Sequence, residues 1–417
     1  MRKKLNNKIG ILGGSFDPAH LGHIKISKEA KKKFKAQVLV HYPFGSCNFE
    51  AEVRLHGDQS DHLQFRKGQI YSSLDVRLNN GAIGNITKFK LFLPEARNGD
   101  DEIILTAILE ELEFLAPRTR YVDTRLNGSN LKMIFQEKVS KEFLEYHGRR
   151  EAPLFEGDER FVWGFGGYKL FSLETISLAR LVNWKWALRG ASSMIMSLYG
   201  HAILQDAYQE YTAVVPPSCG NGSIFLNFDR LANGNQMATE RWQLYELVLS
   251  AANAGHALRV GNRKYYFNPF EQAFEPIYYD GDPNFLKMSY SHEHYELIPE
   301  MPSDKLFKEI SNLNKNGELF QDFINRTIEQ KNRDYFFKTS LQNFKHNISD
   351  LKKNIPITPK VSEKENNQQT EVPENWYQMT QEKLGIEQEI LRKVELKDGF
   401  YRGFFANGES TILSDND

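Results

Sequence analysis

His20 and His23, three residues apart behind the loop Gly13-Gly14-Ser15-Phe16-Asp17-Pro18, are the first residues in this sequence spaced for chemistry. Residues 8–13 read as a strand and the stretch from His20 to about Phe34 as a helix, so the loop joins a strand end to a helix start. Glycines at that junction let backbone approach a polyphosphate, and the helix start aims unpaired N–H groups and partial positive charge at it. The spacing of three puts both imidazoles on one helix face, where they can donate to phosphate oxygens as charge builds in a transition state. A second set is spread along the chain: Lys90, Glu102, Glu137, Asn262 and Asp280. A lysine held by a glutamate can face nucleotide phosphates. The amide oxygen of Asn262 and the carboxylate of Asp280 are the donor types a Mg²⁺ ion prefers. Together they form a set suited to moving a phosphoryl group from ATP.

Several elements have to position that second set. Residues 89–93 alternate like a strand carrying Lys90. A Pro-Gly turn leads to a helix over 101–115, with Ile104, Ile108, Leu112 and Leu115 as its buried stripe and Glu102 in its first turn. Val122, Thr124 and Leu126 alternate into Asn127-Gly128, and Leu131, Met133 and Phe135 alternate back, which predicts a hairpin ending at Glu137. Further on come a loop with His256 and Asn262, a strand, a proline turn, a second strand, and Asp280-Gly281-Asp282 at its exit. Asn262 and Asp280 thus lie at opposite ends of a returning hairpin. Residues 303–354 carry Phe337, Leu341, Phe344, Ile348 and Leu351 at helical spacing, which predicts helices packed on the body. The stretch 356–374 is polar and proline-bearing and reads as a linker. The tail 375–417 is expected to hold one helical stretch and the aromatic cluster Phe400, Tyr401, Phe404 and Phe405.

The first group, GGSFDPAHLGH at 13–23, resembles the GGxFDPxHxGH signature of nicotinate-nucleotide adenylyltransferases in the HxGH nucleotidyltransferase superfamily. The resemblance implies that His20 and His23 contact ATP phosphates while Gly13, Gly14 and Phe16 shape the nucleotide pocket. It covers about 35 residues. One βα unit cannot bury both faces of a sheet, so residues 1–36 read as a truncated nucleotidyltransferase-like segment joined to another enzyme. Residues 38–300 resemble the spore coat protein H family of atypical kinases, in AEVRLHGD at 51–58, FKLFLPEAR at 89–97, APRTRYVDTRLNG at 116–128, FQEKVSKEFLE at 135–145 and EPIYYDGD at 275–282. That likeness implies a bilobal kinase-like fold using ATP and Mg²⁺, with Lys90, Asn262 and Asp280 in the matching places and an unknown acceptor. A protein kinase carries a catalytic Asp two residues after its loop His, and Leu258 stands there in this chain.

The expected fold is therefore α/β (α+β): a βα unit over 1–36, a kinase-like body over 37–300, a helical extension over 301–355, the linker and the tail. Three functions stay open, namely a kinase-like phosphotransferase, an adenylyltransferase, and a catalytically silent binding protein. With 53 Lys and Arg against 54 Asp and Glu, the chain has no general attraction to nucleic acid. Its two cysteines lie far apart without zinc or disulfide spacing, which points to a reducing, cytoplasmic setting. No apolar run approaches the roughly 18 residues of a membrane span.

Overall fold

The computed structural model describes residues 32–57, 62–66, 69–126, 128–157, 179–214, 226–259, 261–287, 303–327, 332–354, 391–397, 400–405 and 410–412. Strands β1 (Phe34–Tyr42), β2 (Gly45–Leu55), β5 (Leu74–Leu78), β6 (Lys88–Phe92), β7 (Thr119–Leu126) and β8 (Ser129–Glu137) form one antiparallel sheet in the order β1-β2-β5-β6-β8-β7. The short pair β3 (Leu63–Arg66) and β4 (Gln69–Ser72) forms a separate ribbon. The expected end of the leading segment at residue 36 falls inside β1. The alternation of Phe34 to Tyr42 is already that of a sheet strand, and every residue of β1 pairs with β2.

The strand period of two sorts this sheet into unlike faces. Ala51, Leu74, Val76, Phe89 and Phe135 form one apolar layer. The residues between them are charged, and the register sets Arg54 opposite Asp75, Asp75 opposite Lys90, and Lys90 opposite Gln136. Helix α1 (Asp100–Glu111) follows β6 and buries Ile104 and Ile108, with Leu112 and Leu115 buried just beyond its end, as their spacing predicts.

A second sheet has the order β10-β9-β11-β12, from β9 (Leu154–Gly157), β10 (Ala179–Leu181), β11 (Lys264–Asn268) and β12 (Ala273–Ile277). Helix α2 (Lys141–Tyr146) precedes these strands in the chain, and α3 (Trp184–Ala187), α4 (Ala191–Val214), α5 (Phe228–Leu231) and α6 (Gln236–Ala251) lie among them. The Asn235 side chain caps α6 by accepting from the Met237 and Ala238 backbone N–H groups. From Trp242 to Ala251 every residue of α6 is buried, so it forms the axis of the core. Helices α7 (Asp304–Asn312), α8 (Glu318–Arg326) and α9 (Arg333–Asn354) add Phe307, Phe323, Phe337, Phe344 and Leu351 to the core that holds α1 and α6. The helical spacing at 303–354 therefore reports packing on the body. The fold is mixed α/β, as the sequence pattern predicts.

The chain divides into two compact units at Ile357 and Thr358. The second unit contains β13 (Leu391–Lys397), β14 (Phe400–Phe405) and β15 (Ser410–Ile412) in one antiparallel sheet. A helical stretch was expected in this tail; residues 375–390 lie outside the described residues, and the described residues of the tail form strands.

Inside the core, Arg263 meets Glu246 of α6 at 2.8 Å with both side chains almost fully buried. The Arg263 Nε–H also donates to the Leu258 carbonyl at 2.9 Å, fixing the loop ahead of β11. Removing one member of a buried pair leaves an uncompensated charge. Arg263→Met is therefore expected to lower stability by roughly 3–5 kcal/mol, measured by denaturant unfolding. Adding Glu246→Leu should restore much of the loss. If the double variant is as unstable as the single one, the pair is not the cause.

Candidate active site

Two turns meet where the two sheets face each other. The first follows β6, where Pro94 to Arg97 make a single 3₁₀ turn and Asn98 closes it in a left-handed conformation. The second is Asp280-Gly281-Asp282 after β12, with Asp280 and Asp282 both at positive φ. Arg97 Nη1 donates to Asp280 Oδ1, and the Asn98 amide donates to Asp282 Oδ1 at 2.7 Å and to the Pro283 carbonyl at 2.9 Å. Gly281 is required by the approach of Tyr278, whose hydroxyl would stand 2.6 Å from a side-chain carbon at that position. That hydroxyl accepts from the Gly281 N–H at 3.2 Å and donates to Glu102 Oε2 at 2.6 Å, tying the turn to α1.

Cations crowd this junction. Lys90 is buried, its Nζ donates to the Tyr279 hydroxyl at 3.1 Å, and Lys264 Nζ lies 4.1 Å from the Tyr279 ring centre. Arg97 is buried with its guanidinium stacked 4.3 Å from the Phe92 ring centre, and its Nε–H has no partner among the described residues. Burial, and after it the charges of Arg97 and Lys264, push the Lys90 ammonium well below the usual lysine range. Burial alone would raise the Asp280 carboxyl, but Arg97, then His256 and Lys90, hold it well below the usual carboxylate range. Asp280 is thus an ionised carboxylate beside the Arg97 guanidinium, with His256 and Lys90 close by.

Asn262 and Asp280 come together through one imidazole. His256 Nδ1 donates to the Asp280 carbonyl at 2.8 Å, and the Asn262 amide nitrogen donates to the His256 carbonyl at 3.0 Å while lying 3.1 Å from Nδ1. Asp280 meets both Arg97 and His256 through Oδ1. Oδ2 of Asp280 and the amide oxygen of Asn262 therefore remain without a hydrogen bond to any described residue. Both are hard oxygen donors of the kind Mg²⁺ takes, so the pair fits such an ion chemically. Among the described residues no group of three or more acidic, His or Cys side chains forms a protein cage for a metal. An ion here has to share Asp280 with Arg97 and draw its other oxygens from water or a phosphate ligand.

Two expected partnerships take a different form. Glu102 does not hold Lys90. It is fully buried and accepts from Gln136 Nε2 at 2.8 Å and from Tyr278, because a helix-start carboxylate facing the sheet finds those donors first. Glu137 faces neither a lysine nor an open nucleotide edge. Arg118 donates to both its oxygens at 2.7 and 2.8 Å, a fork that fits a carboxylate. Gly13, Gly14, Phe16, His20 and His23 lie outside the described residues.

Arg97, His256 and the Tyr278–Tyr279 pair carry structural weight that residue spacing did not reveal. A Pro-Glu-Ala-Arg-Asn-Gly turn directly after the lysine strand was the available signal for Arg97. Leu258, two residues after His256, is in the core. Nearby, Asp282 is held by Asn98, and Asn253 donates to the Asn284 and Lys287 carbonyls at 3.2 Å each.

Comparison with known proteins adds information about the other end of the chain. A family described as cytidylyltransferase-like matches residues 11–50. A probable nicotinate-nucleotide adenylyltransferase of Dehalococcoides mccartyi is 29% identical over 97 residues, covering 21% of this chain and 47% of that protein. The probable nicotinate-nucleotide adenylyltransferase/Ap4A hydrolase of Mycoplasma genitalium is 33% identical over 98 residues, covering 22% and 27%. A probable nicotinate-nucleotide adenylyltransferase of Pelagibacter ubique is 80% identical over 25 residues, covering 6% and 14%. This chain spans less than half the length of these curated relatives. Its N-terminal region is nucleotidyltransferase-like, and the match extends past residue 35 into β1 and β2. No helix among the described residues is long and apolar enough to cross a membrane.

Burial raises the Glu102 carboxyl to about 7 against the opposing pull of Arg97, Tyr278 and Gln136. The folded state then holds this proton more tightly than the unfolded chain, so stability declines as pH rises from the usual glutamate range toward 7. Glu102→Gln mimics the protonated form. It should be more stable than wild type at pH 8, by on the order of 3 kcal/mol, with little difference at pH 4. Melting curves at the two pH values check this, and identical curves at pH 8 would show that Glu102 is ionised without cost.

Proposed function

We propose that the body of this chain binds ATP and transfers its terminal phosphoryl group to an acceptor. One observation carries the reading: buried Lys90 and Arg97 converge with ionised Asp280 on Tyr279, beside Asn262 and His256, at the junction of the two sheets. Phosphoryl transfer depends on positioning and on neutralising phosphate charge, and these are the groups it uses. Arg97 supplies a fixed cation and Lys90 a buried amine whose hold on a proton strengthens when a phosphate arrives, and the orphaned Arg97 Nε–H is a buried donor lacking an acceptor oxygen. His256 sets the orientation of Asn262 and of the Asp280 turn. A Mg²⁺ ion arriving with the nucleotide would be held by Asp280 and Asn262 and would supply further charge neutralisation to the phosphates.

Lys90 provides the test. Its ammonium is depressed because it is buried among cations, so an arriving phosphate restores its charge and draws in a proton. Titration calorimetry with ATP in two buffers of different ionisation enthalpy is expected to show net proton uptake by wild type. In Lys90→Met that uptake should disappear and affinity should fall at least about tenfold, the scale of one lost charge-assisted hydrogen bond. Equal ATP affinity in the two proteins would end this reading. Asp280→Asn is less clean, since it strips a buried guanidinium of its partner and should cost several kcal/mol of stability as well.

The cytidylyltransferase-like match supports a second reading, nucleotidyl transfer through the N-terminal segment. There the loop Gly13-Gly14 with Phe16 would cradle the nucleotide, and His20 and His23 would meet its phosphates. Incubation of the full chain with ATP and nicotinate mononucleotide tests it. Adenylylated product that vanishes in His20→Ala would establish this activity, whereas no product from wild type would remove it.

A further inference from the structure

The charged face of the large sheet carries a row of cations that the site above does not use. Arg77 of β5 stands directly opposite Lys88 of β6, and Lys138 continues the row, its backbone N–H bonding the Lys88 carbonyl at 3.0 Å. Like charges directly opposite each other in a sheet are destabilising. Arg77 and Lys88 are exposed. Arg77 also stands opposite Glu52 of β2, and the charges of Arg77 and Lys88 help hold the Glu52 and Glu142 carboxyls below their usual range. They border a groove of about 280 Å³ that also takes in Lys33, Arg54, Glu52 and Asp75. Five cations against two carboxylates leave an excess of three positive charges. Both carboxylates are already engaged, Glu52 by Lys33 at 3.0 Å and Asp75 by Arg54 at 2.6 Å and Lys138 at 2.8 Å. Val53 is the one apolar lining residue, so the groove suits an anion far better than an aromatic base. It also adjoins Lys90, the cross-strand partner of Asp75.

We infer that this groove binds a small polyanion bearing two or more phosphate groups and, resting on the phosphotransfer reading, that this polyanion is the acceptor. A phosphate brings nearly two negative charges and several acceptor oxygens, against one charge for a carboxylate, and so matches an excess of three in so small a space. The chemistry agrees with the groove. A hydroxyl acceptor needs a base, and Leu258 stands where a protein kinase has its carboxylate. A phosphate oxygen is already deprotonated. It attacks the terminal phosphorus of ATP, the new P–O bond forms as the bond to the β-phosphate oxygen breaks, and the electron pair leaves with ADP. No proton has to be removed.

Inorganic tripolyphosphate is the probe, titrated into the full chain as wild type, as the double variant Arg77→Gln/Lys88→Gln, and as Lys90→Met. The expected result is binding by wild type, a loss of at least about tenfold in the double variant, and near-wild-type binding by Lys90→Met. The double variant should melt close to wild type, because the repulsion it relieves offsets the exposed attractions to Glu52 and Glu142 that it removes. Unchanged binding in the double variant would overturn the proposal. So would binding lost only in Lys90→Met, which would place the phosphates at the nucleotide site. A lower melting temperature in the double variant would mean the cations are structural and would count against the groove. If tripolyphosphate binds through Arg77 and Lys88 but no phosphate passes to it from ATP, the groove stands and its assignment to an acceptor falls.

Discussion

The ion pair between Arg97 and Asp280 is the constraint on which the rest of this arrangement depends. The two residues are 183 positions apart, one on a turn behind the large sheet and the other on a turn behind the small one. Neither tolerates burial alone, since an unpaired charge in a low-dielectric interior costs several kcal/mol. The pair therefore obliges the two turns to dock. Once docked, Asn98 reaches Asp282, Asp101 accepts from the Phe285 N–H at 3.3 Å, and Tyr278 reaches Glu102. Asp280 adopts positive φ, a conformation unusual for a residue with a side chain, and these surrounding bonds keep it there.

That same pair organises charge on the sheet. Asp280 satisfies Arg97, so Lys90 is left with a tyrosine hydroxyl as its bonding partner, while its cross-strand neighbour Asp75 is taken by Arg54 and Lys138. The lysine is consequently buried and under-compensated. Strand register enforces this. A slip of one residue in β6 would turn Lys90 toward the apolar layer of Val76 and Phe135 and bring Phe89 to the charged face. The apolar layer on one side thus fixes the charged face on the other, and the energy that holds the site comes from side chains with no chemical role.

Much of this was legible in the sequence wherever the information is local. The hairpin of β7 and β8, that of β11 and β12, the buried stripe behind Glu102 and the helices at 303–354 follow from periods of two and 3.6 and from turn residues, and each is present. That Asn262 and Asp280 approach each other was legible as well, because they stand at opposite ends of a returning hairpin. Partner choice was not legible. Glu102 lies near enough to Lys90 in sequence for a pairing to look natural, yet Gln136 and Tyr278 reach it from β8 and from behind β12. Arg97 looked like a turn residue because its partner is brought in only by tertiary docking. Glu137 was read as a nucleotide or lysine partner at a strand end, and its bidentate arginine comes from the residue just ahead of β7.

The start of the body shows how local resemblance and tertiary structure divide the chain. The cytidylyltransferase-like match runs through residue 50, but its described part from Phe34 onward is a hairpin in which β1 and β2 are joined by Pro43 and Phe44 alone. Adjacent parallel strands need a crossover of a dozen or more residues, usually a helix, and a two-residue connection can only reverse the chain. By residue 45 the backbone is committed to the antiparallel sheet that carries Lys90, and β2 has its other edge on β5. The likeness to nucleotidyltransferases thus runs, in residue identities, through a stretch whose described backbone is an antiparallel hairpin.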